Sequence, residues 1–254
     1  MTSLIDQLVD WIAESVKGQC ARGAVVGLSG GIDSAVTAAL CTRALGNDVL
    51  GVIMPCESDQ RDEEDALLTV SHLDLAAVTV RLDGAFESFV EALPSAEMKV
   101  RANLKPRLRM ASLYYLANMH SYMVVGTGNR TELMLGYFTK YGDGGVDLLP
   151  LGGLYKTQVR QLARELGIPD RIIEKPPSAG LWAGQTDEGE LGMTYEDLDR
   201  TLEAIESRRS KDTAPGLQGT VMRMIGHSVH KRVPAPIFEV VKESKEMAVS
   251  GAAG

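Results

Sequence analysis

The stretch Ala24-Val25-Val26-Gly27-Leu28-Ser29-Gly30-Gly31-Ile32-Asp33-Ser34-Ala35-Val36 constrains this chain more than any other. Ala24 to Leu28 is a short apolar run ending at glycines, the pattern of a central parallel strand. From Ser34 onward the residues are apolar and Ala-rich, as in a buried helix, with Asp33 and Ser34 placed as N-terminal caps. Between the two, Ser29-Gly30-Gly31 offers backbone N–H groups with little side chain in the way. A helix N-terminus with free amides and the positive end of its dipole binds phosphate.

Several loops share parts of this pattern. A Walker A loop requires Gly-Lys-Ser/Thr, which is missing, and the dinucleotide fingerprint requires a third glycine that does not follow. Gly27-Leu28-Ser29-Gly30-Gly31 matches the G-x-S-x-G elbow of serine hydrolases, but only one helix precedes it, whereas that elbow sits deep in its sheet. An ordinary strand–helix turn is the remaining plain alternative. Ser29-Gly30-Gly31-Ile32-Asp33-Ser34 resembles the SGGxDS loop of the PP-loop ATP pyrophosphatases, which cleave ATP to AMP and pyrophosphate while activating an oxygen as an adenylate. The residue types suit that chemistry. Small side chains admit pyrophosphate to the amides, Ser29 and Ser34 carry hydroxyls, and Asp33 can hold Mg²⁺ beside the phosphates.

At 254 residues the chain is long enough for a substantial core, and 44% apolar with 24% charged residues is ordinary for a globular protein. A net charge of -8 speaks against non-specific nucleic-acid binding. Three cysteines (Cys20, Cys41, Cys56) without regular spacing suggest a reducing compartment and no disulfide framework. No signal peptide or membrane-length apolar run is present, so no membrane role and a cytoplasmic location are expected.

Ser3 to Lys17 carries apolar residues at helical spacing, Trp11 among them as a core or interface residue. Val49 to Met54, Val78 to Leu82 and Tyr122 to Gly126 read as three further strands. The acidic run Glu57 to Asp65 leads into a helix and reads as a solvated helix start, with a metal site as the alternative. Phe86 to Leu93 and Lys105 to His120 read as helices. The second has Arg101, Lys105, Arg107 and Arg109 near its start, against the dipole preference, which suits either an anionic partner or a salt-bridged surface. Alternating strands and helices predict an α/β fold: a doubly wound, mostly parallel twisted sheet with helices on both faces, Rossmann-like, its ligand loops at the carboxyl ends of the strands. Tyr195 to Arg209 and Gly216 to Val229 read as two late helices, and residues 249–254 as a frayed tail.

The fourth strand runs into Gly126-Thr127-Gly128-Asn129-Arg130-Thr131-Glu132 and then a glycine-rich stretch from Gly136 to Pro150. Glu132, early in a helix after a strand end, can join Asp33 on one Mg²⁺ if the strands are neighbours. Alone it would be a dipole partner. The four glycines around Tyr141 and Asp143 call for unusual dihedrals or close backbone approach.

With Leu154-Tyr155-Lys156-Thr157, Lys175-Pro176-Pro177-Ser178-Ala179-Gly180-Leu181-Trp182, Gln185-Thr186-Asp187-Glu188 and Glu190-Leu191-Gly192, these motifs cover most of residues 24 to 200 and resemble NAD synthetase. They separate the chain from GMP synthetases, asparagine synthetases and tRNA-thiolating enzymes, which share only the SGGxDS loop. There is no room for a nitrilase-like glutaminase domain, so the chain resembles the short, ammonia-using form, as a single domain over residues 1–254.

The resemblance implies a ligase that joins carbon to nitrogen in two steps. The nicotinate carboxylate of deamido-NAD attacks the α-phosphate of ATP, pyrophosphate leaves, and ammonia then displaces AMP from the NAD-adenylate. Gly27, Leu28, Ser29, Gly30, Gly31, Ile32, Asp33 and Ser34 would cradle ATP, and Thr127, Lys156 and Ser178 would contact it; Asp33, Lys156 and Thr127 are the implied catalytic set. Asp33 and Glu132 would hold Mg²⁺. Lys140, Asp147, His230 and Lys231 would bind deamido-NAD, and Arg107 would reach that substrate in the neighbouring subunit of a homodimer. Pro176 to Glu188 would be a mobile loop closing over the site. The chain departs from many members in carrying Gly128 where they have an acidic residue or serine. Two alternatives stay open: a tRNA-modifying adenylase, and a nucleotide-binding module without chemistry.

Overall fold

Side chains of the first strand, β1 (Gly23–Leu28), alternate between two apolar layers. Ala24, Val26 and Leu28 belong to one cluster and Val25 to another. In this computed structural model, which describes residues 2–182, 184–207 and 216–239, β1 lies in a parallel sheet with β2 (Val49–Ile53), β3 (Ala77–Thr79) and β4 (Tyr122–Val125). The strand order is β3-β2-β1-β4. Register is set by Val26 opposite both Gly51 and Val125. The expected third strand is shorter than read: beyond Thr79 only single bonds persist, from Val80 N–H to the Ile53 carbonyl (2.8 Å) and from Leu82 N–H to the Pro55 carbonyl (2.8 Å). β3 is the edge strand and all three of its residues are exposed, and among the described residues no second neighbour extends its ladder.

Helix α1 (Leu4–Gly18) opens the chain under a Ser3–Asp6 capping box and buries Ile12 and Val16, while Trp11 stays exposed. Helix α2 (Ile32–Leu45) is buried at every position from Ser34 to Cys41, as a helix sandwiched between layers must be. Helices α3 (Gln60–Leu73), α4 (Asp83–Glu91), α5 (Met98–Ala102) and α6 (Leu104–His120) follow before β4. After it come α7 (Arg130–Leu135), α8 (Lys156–Leu166), α9 (Asp170–Ile173), α10 (Asp187–Leu191), α11 (Tyr195–Glu206), α12 (Leu217–His227) and α13 (Val229–Arg232). On one face of the sheet α1, α2, α8 and α9 pack on Ala24, Val26 and Val125; on the other, α4 and α6 pack on Val25, Val52 and Val124. A third cluster joins α7, α11 and α12 through Leu135, Tyr195, Leu198, Leu202 and Val221. The expectations for Arg208, Arg209 and residues 249–254 lie outside the described residues.

The chain leaves β1 toward β2 and β3, then returns to place β4 on the other side of β1. That reversal is a switch point, where loops diverge and leave a crevice at the carboxyl ends of the strands. The loop after β1 and the loop after β4 face each other across it. Within the described residues no helix is long and apolar enough to cross a membrane.

Candidate active site

The loop after β1 turns on Gly30, whose φ of +75° suits glycine. A Cβ there would stand 2.2 Å from the Asp62 carbonyl oxygen, so only glycine fits against α3. Gly31, not Asp33 or Ser34 as expected, is the N-cap of α2, and it makes no side-chain capping bond. The first-turn amides of α2 therefore have no capping side chain in front of them, the arrangement that receives an anion. Ser34 is buried and holds the loop from behind: its Oγ donates to the Gly31 carbonyl (2.8 Å) and accepts from Ser29 N–H (3.3 Å).

Across the crevice, Asn129 caps α7 in a reciprocal box with Glu132. Its side chain accepts from Glu132 N–H (3.1 Å), and Glu132 Oε2 accepts from Asn129 N–H (3.2 Å). Glu132 Oε1 is left to face the cleft. Asn129 is fully buried and donates from Nδ2 to Asp33 Oδ1 (3.0 Å), tying the β4 loop to the start of α2. Lys156, the first residue of α8, is buried and reaches both acids: it pairs with Asp33 Oδ2 and lies 3.5 Å from Glu132 Oε1. Its ammonium also sits 5.1 Å from the centre of the Tyr195 ring.

Burial raises the Glu132 carboxyl to about 8, with Asp33 adding to the rise and Lys156 opposing it. Burial alone would lower the Lys156 ammonium, but Asp33 and Glu132 outweigh it and hold the group above its ordinary value. Asp187 is pushed up, chiefly by burial, against the pull of Lys156. Its two oxygens accept from Tyr195 OH (2.9 Å) and Tyr137 OH (3.2 Å). Two carboxyl groups, Asp33 and Glu132, thus share one lysine, with Asp187 nearby but bonded to two tyrosines, and no group of three or more acidic, His or Cys side chains forms a metal site among the described residues. Two hard carboxylate donors fit Mg²⁺ when phosphate oxygens and water complete its shell.

These groups line a cleft of about 460 Å³. Of the residues singled out from sequence, Gly27, Leu28, Ser29, Gly31, Ile32, Asp33, Thr127, Glu132, Lys156, Ser178 and Lys231 line it; Gly30, Ser34, Arg107, Lys140, Asp147 and His230 do not. Lys231 donates to the Gly136 (2.7 Å) and Phe138 (2.8 Å) carbonyls. Asp147 is occupied otherwise: Oδ1 accepts from Tyr114 OH and Oδ2 from Val124 N–H, both at 2.8 Å, pinning the glycine-rich segment along β4. Arg107 and Lys140 lie next to one another outside the lining, with Arg107 donating to the Lys140 carbonyl (3.3 Å) and Lys140 to the His230 carbonyl. The glycines of the segment serve close approach: a Cβ on Gly144 would stand 2.5 Å from Phe138 and one on Gly142 3.0 Å from Pro106.

Asn129, Asp187 and Tyr195 belong to the motifs and helices expected from sequence, yet their part in the site is visible only in three dimensions. The Asn-x-x-Glu spacing of Asn129 and Glu132 is a legible cap signal; the side chain that Asn129 turns toward Asp33 is not. The acidic run is neither a solvated helix start throughout nor a metal cluster. Asp59 caps α3, while Asp62 and the buried Asp65 both receive Lys175. The basic start of α6 is internal only in part, at Lys105 and Arg109, while Arg101 and Arg107 are exposed. Lys105 is buried against Glu57 (2.9 Å) and the Leu181 carbonyl (3.0 Å), and Arg109 bonds the Met54 carbonyl (3.1 Å). Residues 176–182 line the cleft, held by Lys105 at the Leu181 carbonyl and by Asp187 N–H donating to the Pro177 carbonyl (2.9 Å).

A parallel switch-point sheet, an uncapped helix start after β1 and a lysine shared by two acids define an α/β nucleotide-binding enzyme. The NAD synthase family matches residues 4–235. The NH3-dependent NAD+ synthetase of Carboxydothermus hydrogenoformans is 51% identical over 235 residues, 90% of this chain and 94% of that one. The Methanosarcina acetivorans protein of the same description is 46% identical, over 92% and 97% of the two chains. Among solved structures, NMN synthetase from Francisella tularensis superposes with a TM-score of 0.86 at 36% identity, covering 93% of this chain and 98% of its own. The NH3-dependent NAD synthetase of Campylobacter jejuni, in complex with nitrate, superposes at 0.82 with 30% identity over 93% and 97%. The chain belongs to the NAD synthase family.

Proposed function

We infer that this chain amidates deamido-NAD with ammonia at the expense of ATP, through an NAD-adenylate, releasing AMP and pyrophosphate. The observation that carries the reading is the meeting of Asp33 and Glu132, from two different strand ends, on the buried Lys156 beside the opening of α2. A carboxylate is a poor acyl donor, and adenylation turns its oxygen into a leaving group. The first step then needs alignment and charge neutralisation more than covalent chemistry.

In this reading the first-turn amides of α2 and the Ser29 hydroxyl bind the leaving pyrophosphate, and Lys156 offsets charge where the phosphates divide. Mg²⁺, held by Asp33 and Glu132, would supply the remaining neutralisation of phosphate oxygens. Asn129 keeps Asp33 turned toward that position. Thr127 and Ser178 contact ATP from the β4 end and from the lining segment 176–182. That segment keeps water from the adenylate until ammonia arrives. Lys231, Lys140 and His230 receive deamido-NAD, with Asp147 bracing the segment beneath and Arg107 reaching the substrate of a second subunit in a homodimer. Its free cysteines fit a reducing cytoplasm.

The test is to incubate the protein with ATP, Mg²⁺ and ammonium while following AMP, pyrophosphate and NAD. Deamido-NAD and the corresponding deamidated mononucleotide are compared, since one structural relative is an NMN synthetase. NAD formed one-for-one with AMP is expected. Faster turnover of the mononucleotide would overturn the substrate assignment, a requirement for tRNA would favour the adenylase alternative, and binding without turnover would leave a module without chemistry.

A further inference from the structure

Lys175 stands outside the catalytic cluster yet touches the loop after β1. Its Nζ donates to the Gly30 carbonyl (3.2 Å) and pairs with Asp62 Oδ1 (2.7 Å) and Asp65 Oδ2 (2.6 Å). Asp65 is further held by Arg171 (2.7 Å), so the ammonium is gripped from α3 and cannot swing freely. Lys175 lines the cleft and immediately precedes Pro176, where the lining segment 176–182 begins.

The carbonyl it binds is a telling one. In a trans peptide the C=O and the following N–H point in opposite directions. With the Gly30 oxygen drawn back toward Lys175 and α3, the Gly31 N–H is turned to the other side of the loop. There it meets the Ser29 Oγ at 3.3 Å, and both residues line the cleft. A peptide between two glycines has little steric resistance to rotation. Rotated by half a turn, it would present an oxygen instead of an N–H to any anion in the cleft. We propose that Lys175 is a positioning residue that locks the Gly30–Gly31 peptide with its N–H toward the phosphates. Its effect should therefore follow the β- and γ-phosphates of ATP and not the nucleoside. The proposal rests on the loop being the phosphate cradle described above.

The test measures ATP and AMP binding to the full chain by calorimetry with Mg²⁺ present, in wild type, Lys175→Met and Lys175→Arg. Loss of one charge-assisted bond predicts ATP binding at least about tenfold weaker in Lys175→Met. AMP binding should be unchanged, and Lys175→Arg should recover most of the difference. Because Lys175→Met strands two carboxylates, Lys175→Met with Asp62→Asn is measured alongside it. Equal weakening for ATP and AMP, no weakening for either, or failure of both replacements to fold would assign Lys175 a purely structural role and overturn the proposal. A wild type that binds ATP no better than AMP would instead overturn the phosphate cradle itself, and the proposal with it.

Discussion

Replacing Glu132 with glutamine separates the cost of the site from its use. The amide oxygen can still accept from Asn129 N–H, so the cap of α7 survives. What disappears is a carboxyl whose proton is held to about 8 by burial and by Asp33. The sign follows from linkage. The folded state binds this proton more tightly than the unfolded chain, where the group titrates near 4.5. The contribution of this group to stability is therefore greatest below 4.5 and falls as pH rises toward 8. The full ceiling is about 5 kcal/mol, and between pH 5.5 and 8.5 it is about 3 kcal/mol. That value already contains the attraction to Lys156 at 3.5 Å, and with 18% of the Glu132 side chain exposed to screening solvent the expected gain is about 1–3 kcal/mol. Urea unfolding of both proteins in chelator, without nucleotide, should show Glu132→Gln gaining on wild type by that amount from pH 5.5 to 8.5, while its Mg²⁺-dependent turnover collapses. A stability difference independent of pH, or a variant that loses ground as pH rises, would refute the crowding of acids on one lysine.

Three other outcomes are expected. Asp199 accepts from Thr131 Oγ1 (2.5 Å) and from Thr157 N–H (2.8 Å), and so fixes the helices bearing Glu132 and Lys156. Asp199→Ala should cost about 2–4 kcal/mol in denaturant unfolding and lower kcat more than it raises KM; a change in KM alone would count against this. Gly136 closes α7 at φ +71°, and a Cβ there would stand 2.0 Å from that of Ser228. Gly136→Ala should therefore destabilise by about 2 kcal/mol or more, read as a lowered Tm, and an unchanged Tm would mean that α12 and α13 give way freely. Because neutral ammonia is the nucleophile, the rate at fixed total ammonium should climb as pH rises from neutral, and a flat profile would point to another nitrogen source or limiting step.

Much of this protein lies open in its sequence, because short-range rules govern those parts. The apolar run before Gly27, the glycines at Gly30 and Gly31 and the apolar helix after them declare a strand, a turn and a buried helix before any contact is known. The spacing of Asn129 and Glu132 is likewise a local capping pattern. Tertiary structure alone decided which charges meet. Lys156 is 123 positions from Asp33 and Lys175 is 145 from Gly30, and both pairs form because β4 lands beside β1 and α8 and α9 fold back on the same sheet face. The basic start of α6 and the acidic start of α3 look like solvent-facing runs in one dimension, yet Lys105 and Asp65 are buried with partners far along the chain. Periodicity reports which face of an element is apolar, whereas the partner of a buried charge is set by whatever else must be desolvated beside it.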